Sequence, residues 1–290
     1  ETIADPINPI ALPVLDVEKP TIRMTFQVNS SPFAGREGEF KTSRQIRERL
    51  LRAAESDVAL RVEEMGNGWS VSGRGELHLA ILIERMRREG YEFEGGRPQV
   101  IEKIENGKTL IPFEKVSIEV PEEYSGIVIQ KMGLRQAGMT DMRTDSPRSG
   151  GGAVNGLVFL EFVIATKELF GFRSQFMTDT RGQGIISSSF LDYRLATGAK
   201  FDREQGSLVS HETGNTTLYA LTGIQSRGTL FIGPGVSVYR GQVVGQSTRS
   251  GDIVVNICRE KQQTNHRSKG EGVAEHFDAP KTMELENALE

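Results

Sequence analysis

The clearest periodic stretch runs from Glu76 to Glu89. Leu79, Leu82, Ile83 and Met86 recur at helical spacing and fall on one stripe, which predicts a helix lying on a sheet. Leu77 and Ile81 fall on the opposite side, beside Arg88; they form either a second layer of the same core or an interface with another domain of the chain. Trp69–Ser72 reads as a short strand before this helix. Gly73-Arg74-Gly75 reads as a tight turn whose glycines tolerate positive φ. Glu76 places a carboxylate in the first turn, and Gly90 supplies the residue past the helix end.

The same kind of reading extends in both directions. Residues 1–19 are proline-rich and without period, as in a linker or the end of a preceding domain. The alternation from Pro20 to Asn29 predicts a strand, followed by a glycine-bearing loop. Thr42 and Gln45 form a capping box before a helix that buries Ile46, Leu50, Ala53 and Ala54. Asp57–Met65 and Trp69–Ser72 pair through a Gly66-Asn67-Gly68 turn, and Tyr91 to about Ile104 supplies the last strand. This β-α-β-β-α-β order predicts a ferredoxin-like domain over 20–111.

The order repeats over 112–193. Phe113–Val120 alternates as a strand, Pro121 stands at the first helical position, and Tyr124, Ile127, Val128 and Lys131 share a face. Strands follow at Thr140–Thr144 and 157–165, then a helix from Thr166 to Met177 and a strand from Gly184 to Tyr193. From 194 to 290 glycine punctuates short β-branched runs, which predicts a β-rich domain; Asn215–Arg227 reads as a short helix capped by Asn215. An amphipathic helix begins at Thr282 and stops before it is complete, so both ends of the chain are expected to be truncated. The fold class is α+β, with two ferredoxin-like units and a β-rich C-terminal domain.

Composition adds exclusions. No apolar run approaches the ~18 residues of a membrane helix, and the N-terminus lacks a basic leader, so no membrane partner is expected. One cysteine, Cys258, excludes an internal disulfide and fits a reducing cytoplasm. Net charge is −4, which argues against general DNA binding, yet Arg227–Lys269 carries seven cations against Asp252 and Glu260 alone. Arg259, Lys261, His266, Arg267 and Lys269 lie in a stretch without an apolar residue, either a solvated linker or an RNA-gripping loop.

No catalytic, cofactor or metal site is expected. Asn106-Gly107-Lys108-Thr109 ends like a phosphate loop, but Glu102 stands where that motif needs its first glycine, so the segment reads as a hairpin turn. Asp179-x-x-Gly182 matches a magnesium motif without any base-reading partner. His78 reads as a hydrogen-bonding group at a helix flank, not a general base.

GRGELHL resembles the third domain of elongation factor G, while VPEEYSG and FGFRSQFMTDTRGQG resemble its fifth. Here Ile111-Pro112 joins the two units directly and a glycine-rich β domain follows, a pattern that resembles the BipA/TypA translational GTPases. The resemblance implies the C-terminal fragment of a ribosome-stimulated GTPase acting in stress adaptation and large-subunit assembly, with GTP and magnesium held by a domain upstream. It implies contacts with ribosomal RNA and A-site transfer RNA through residues 259–269. The stretch Phe172–Gln183 is a second candidate for ribosomal RNA, through Arg173, Ser174 and Arg181; the alternative is that its arginines pair with Asp179 and Glu168. An RNA- or protein-interaction module of another elongation-factor-like GTPase remains the other reading.

Overall fold

The computed structural model describes residues 7, 19–145, 156–196, 205–260, 277–283, 285 and 288. The chain divides into two compact units, Glu1–Gly198 with Leu285–Glu290, and Ala199–Glu284. The first unit holds two ferredoxin-like modules in tandem.

The first module runs β1 (Ile22–Gln27), α1 (Ser43–Ser56), β2 (Arg61–Met65), β3 (Gly68–Gly73), α2 (Glu76–Arg88), β4 (Glu94–Gly95) and β5 (Gln99–Val100). Its antiparallel sheet has the order β2-β3-β1-β4, with β5 also on β1. Ile22, Met24 and Phe26 of β1 alternate into a core completed by Ile46, Leu50 and Ala53 of α1 and Leu79, Leu82, Ile83 and Met86 of α2. The Thr42–Gln45 capping box is formed.

Two local expectations are corrected. The last strand is not continuous from Tyr91 to Ile104. Gly96 packs against the Thr25 side chain, where a Cβ would lie 2.0 Å from Oγ1, and still donates its N–H to Thr25 O at 2.8 Å, but beyond it Pro98 has no N–H for the ladder. Pairing therefore resumes only at Gln99, and Lys103–Glu105 joins the second sheet. In the Gly73-Arg74-Gly75 turn neither glycine takes positive φ; Gly75 is extended at φ −176°. Gly73 is needed for space, because a Cβ there would meet His78 Nδ1 at 3.0 Å. His78 Nδ1 accepts from Arg74 N–H at 3.2 Å, and its Nε2 lies 2.7 Å from Asp57 Oδ2, as expected of a helix-flank hydrogen-bonder.

The second module runs β6 (Lys103–Glu105), β7 (Lys108–Pro121), α3 (Glu122–Leu134), β8 (Gly138–Asp145), β9 (Leu157–Ala165), a 3-10 turn over Thr166–Leu169, α4 (Phe172–Asp179) and β10 (Ile185–Leu195). The sheet order is β10-β7-β9-β8, with β6 added to β7. Pro121 is the N-cap of α3, not its first residue, with extended ψ of 144°. The buried stripe of α3 is Val128 and Met132, flanked by Tyr124 and Ile129, whereas Ile127 stays 38% exposed. The expected helix over 166–177 breaks at Gly171, whose φ is +67°.

The second unit contains β11 (Ser207–Ser210), β12 (Gly214–Asn215), α5 (Leu218–Ile224), β13 (Gly228–Leu230), β14 (Ser237–Val238), β15 (Val243–Ser247) and β16 (Ile253–Val255). Four of these strands form a sheet in the order β13-β15-β11-β16, and β12 pairs with β14. Thr217 caps α5, with Oγ1 accepting from Ala220 N–H at 3.2 Å. Asn215, the expected cap, lies on β12 and accepts from Ser237 Oγ instead. The helix beginning at Thr282 falls largely outside the described residues.

One buried carboxylate organises the loop after β1. Glu92 is 7% exposed and accepts from the N–H groups of Gly35 (2.6 Å), Glu37 (3.0 Å) and Gly38 (3.1 Å) and from Asn29 Nδ2 (2.8 Å). Gly38 can approach because it has no Cβ; one would lie 2.5 Å from Glu92 Cβ. The hydrogen bonds from Gly35 and the other donors outweigh burial and hold the carboxyl at about 2, against an ordinary 4.5. A carboxyl depressed on folding stabilises fully above its unfolded value and loses that contribution as pH falls from about 4.5 toward 2. Glu92→Gln is expected to lower stability at neutral pH by about 2 kcal/mol, and to flatten the fall in stability over that acid range. Urea titrations of both proteins from pH 6 to 3 check this; parallel pH profiles would contradict it.

Candidate nucleic-acid interface

The segment from Thr166 to Gly184 is built to present α4 and the turn behind it. Phe172 and Phe176 are buried, with ring centroids 5.9 Å apart. Gly184 fits beneath them only as glycine, since a Cβ would lie 2.3 Å from Phe176 Cζ. The helix closes through Thr180 N–H to Phe176 O at 2.9 Å and Gly182 N–H to Met177 O at 2.8 Å. This closure puts Arg181 at φ +51° and Gly182 at φ +74°. A non-glycine residue in the left-handed region costs roughly 1 kcal/mol, which the packed turn around it sustains.

Arg135 sets the start of the segment. Its guanidinium is buried beneath the 3-10 turn, where Nη1 donates to Glu168 O and Phe170 O, both at 2.7 Å. Nη2 reaches Gln175 Oε1 at 3.4 Å, and the group lies 5.3 Å from the Phe172 ring centroid. Sequence reasoning did not single out Arg135, because one arginine just past a helix carries no periodic or motif signal.

The expected RNA-facing side chains can now be placed. Arg173 and Arg181 are exposed and Ser174 is half-buried. The alternative surface pairing is not formed: Asp179 is held by Lys131 at 2.5 Å, Glu168 is buried, and among the described residues no ion pair involves Arg173 or Arg181. The Asp179-x-x-Gly182 match is thus a helix-ending turn. Asn106 (φ +52°) and Gly107 (φ +72°) form a two-residue hairpin between Glu105 and Lys108, so the Gly-Lys-Thr sequence is a turn as well.

In the second unit Arg227, Arg240, Arg249 and Arg259 are all exposed. Arg259 is fixed at its main chain, where its carbonyl accepts from Thr217 Oγ1 at 2.6 Å, tying the start of the basic stretch to the cap of α5. Lys261, His266, Arg267 and Lys269 lie outside the described residues.

Leu77 and Ile81 are 37% and 43% exposed. Contact between the modules falls beside them: Gly171 N–H reaches Glu76 Oε2 at 3.4 Å, and Phe170 packs against the first core. Among the described residues no cluster of histidine, cysteine or acidic side chains could hold a metal ion, and no helix is long and apolar enough to cross a membrane.

Residues 205–290 match the TypA/BipA C-terminal domain, and residues 109–204 match the elongation factor G C-terminus. Along its whole length the chain is similar to proteins named large ribosomal subunit assembly factor BipA. It is 49% identical to that of Synechocystis sp. over 292 residues, covering 48% of the relative. It is 44% identical to that of Bacillus subtilis over 293 residues, covering 47%, and 44% identical to that of Salmonella typhimurium, also covering 47%. The chain thus spans about half the length of the curated relatives it matches.

Arg135→Ala leaves two carbonyls without their charged donor. It is expected to cost about 2–4 kcal/mol in chemical denaturation of the full chain, with Arg135→Lys recovering only part. Unchanged stability in the alanine variant would remove Arg135 from this role.

Proposed function

Since the chain belongs to the TypA/BipA family, we propose that it is the ribosome-contacting part of a translational GTPase that assists assembly of the large ribosomal subunit. GTP and magnesium are held, in this reading, by the portion of the relatives that the chain does not span. Arg173 and Arg181 contact ribosomal RNA, with Ser174 adding a hydrogen bond that fixes register. The basic stretch Arg259–Lys269, including Lys261, His266 and Arg267, reaches A-site transfer RNA. The protein works in the cytoplasm, in stress-adapted translation and subunit assembly.

The observation that supports this most is the pair of exposed arginines on a segment held rigid from below. A rigid mount spares the ordering entropy that a free loop would lose on binding. Salt supplies the test, because each phosphate neutralised releases counterions. In the double variant Arg173→Ala, Arg181→Ala, co-sedimentation with large subunits is expected to weaken. Its log–log salt slope should become shallower by roughly 1.4–1.8. Unchanged affinity and slope would contradict the assignment of these arginines. The chain by itself is expected to bind no GTP; saturable binding in equilibrium dialysis at about micromolar affinity would overturn the division of labour.

A further inference from the structure

Among the described residues of the first unit, one stretch of strand edge is left undefended. A sheet edge exposes unpaired N–H and C=O groups, and proteins ordinarily blunt it with charges, bulges or breaks. β2 is short and carries Arg61, Glu63 and Glu64. β4 and β5 are two residues each, divided by Gly96, Arg97 and Pro98. β8 carries Asp141 and Arg143 and is bulged between Met139 and Asp141. In β10 the charges, Asp192 and Arg194, and the bulge lie at the far end, whereas Ile185 to Leu191 reads IISSSFL, without charge, proline or glycine, and is in regular register as far as Phe190. Among the described residues it pairs only with β7.

The hydrogen-bond phase identifies the open groups. Glu122 N–H donates to Gly156 O at 2.9 Å and Ala196 N–H to Thr109 O at 3.1 Å. Even-numbered residues of β7 therefore turn their main chain toward β9, and odd-numbered ones toward β10. Through the pairs Glu119–Ile185, Ser117–Ser187 and Lys115–Ser189, the main chain of Ile185, Ser187 and Ser189 faces β7. That of Ile186, Ser188 and Phe190 faces outward.

On the sheet face away from α3 and α4 lies an open depression of about 420 Å³ that runs from Arg143 of β8 across Phe159 and Glu161 of β9 and Glu119 of β7 to Ile185 and Ser187 of β10, where it meets this edge. Glu161 is paired with Lys115 at 3.0 Å, and Arg143 with Asp141 at 2.7 Å. Glu119 is half-buried and has no ion-pair partner among the described residues. A half-buried carboxylate gains most from a cation that also displaces its water. A second copy of β10 would bring only Arg194, which is already paired with Asp192 at 2.9 Å.

We propose that the outer edge of β10 receives an extended, basic polypeptide segment of a ribosomal partner. The segment adds to the sheet as a further strand through Ile186, Ser188 and Phe190 and seats a lysine or arginine against Glu119. That the partner is ribosomal rests on the function proposed above. The main-chain bonds supply affinity, and the depression supplies selectivity for the alternate side chains.

The test is amide hydrogen exchange on the full chain, with and without purified large ribosomal subunits, after co-sedimentation has established binding. Exchange at Ile186, Ser188 and Phe190 is expected to slow about tenfold or more in the complex. Ser188→Pro removes one outward N–H and none of the bonds to β7, and should weaken binding roughly fivefold without changing the salt slope. If that variant does not fold, Glu119→Lys takes its place, with the same expected direction. Failure to co-sediment would sink the ribosomal reading and this one with it. Co-sedimentation without slowing at the three amides would sink this proposal alone. Slowing that follows protein concentration in the absence of subunits would assign the edge to a second copy, and would equally overturn it.

Discussion

A buried charge must be solvated by something, and here the main chain does it in both ferredoxin-like modules. Glu92 is surrounded by N–H groups of the Asn29–Gly38 loop, and Arg135 by carbonyls of the turn over Thr166–Phe170. Removing such a charge costs more than its own bonds, because the loop's oriented peptide dipoles are left facing one another without a centre. The loops need this because neither has a regular ladder of its own. Their conformations are fixed from the middle outward, and the side chains they display inherit that rigidity.

The periodic parts of this fold were legible from residues alone. The α2 stripe, the apolar run at 157–165 and the Thr42–Gln45 capping box of α1 are all local signals written within a few neighbouring positions, and the structure forms them. The misreadings share a different cause. Pro98, Gly171 and Pro121 act through single residues: a missing ladder N–H, a left-handed kink and an extended cap. Periodicity averages such residues away. Asn215 was read as the cap of α5, but its side chain is taken by Ser237 across the β12–β14 pair, and Thr217 caps the helix instead.

The candidate interface divides along the same line. Arg173 and Arg181 were found through a motif resemblance, and their exposure agrees with a surface role. Arg135, which holds the start of that segment, escaped notice because its shortest bonds are to the carbonyls of Glu168 and Phe170, and carbonyls are carried by every residue. The free edge of β10 escaped notice for a related reason: a strand's sequence does not say whether a neighbour lies on one side or two. The composition of Ile185–Leu191 becomes informative only once the order of the sheet is known.

The join between the modules has a mechanical consequence. β5 ends at Val100, and β6 begins at Lys103 and pairs directly with β7; of the two residues between, Ile101 is pinned through its N–H to Thr21 O at 2.8 Å. Such a joint has almost no slack. A load applied to α4 or β10 is passed along β7 into the first sheet as a rotation, where a flexible tether would absorb it as stretch. The tandem modules are therefore suited to act as one stiff lever arm, able to carry a small displacement at one end to the other without loss of phase.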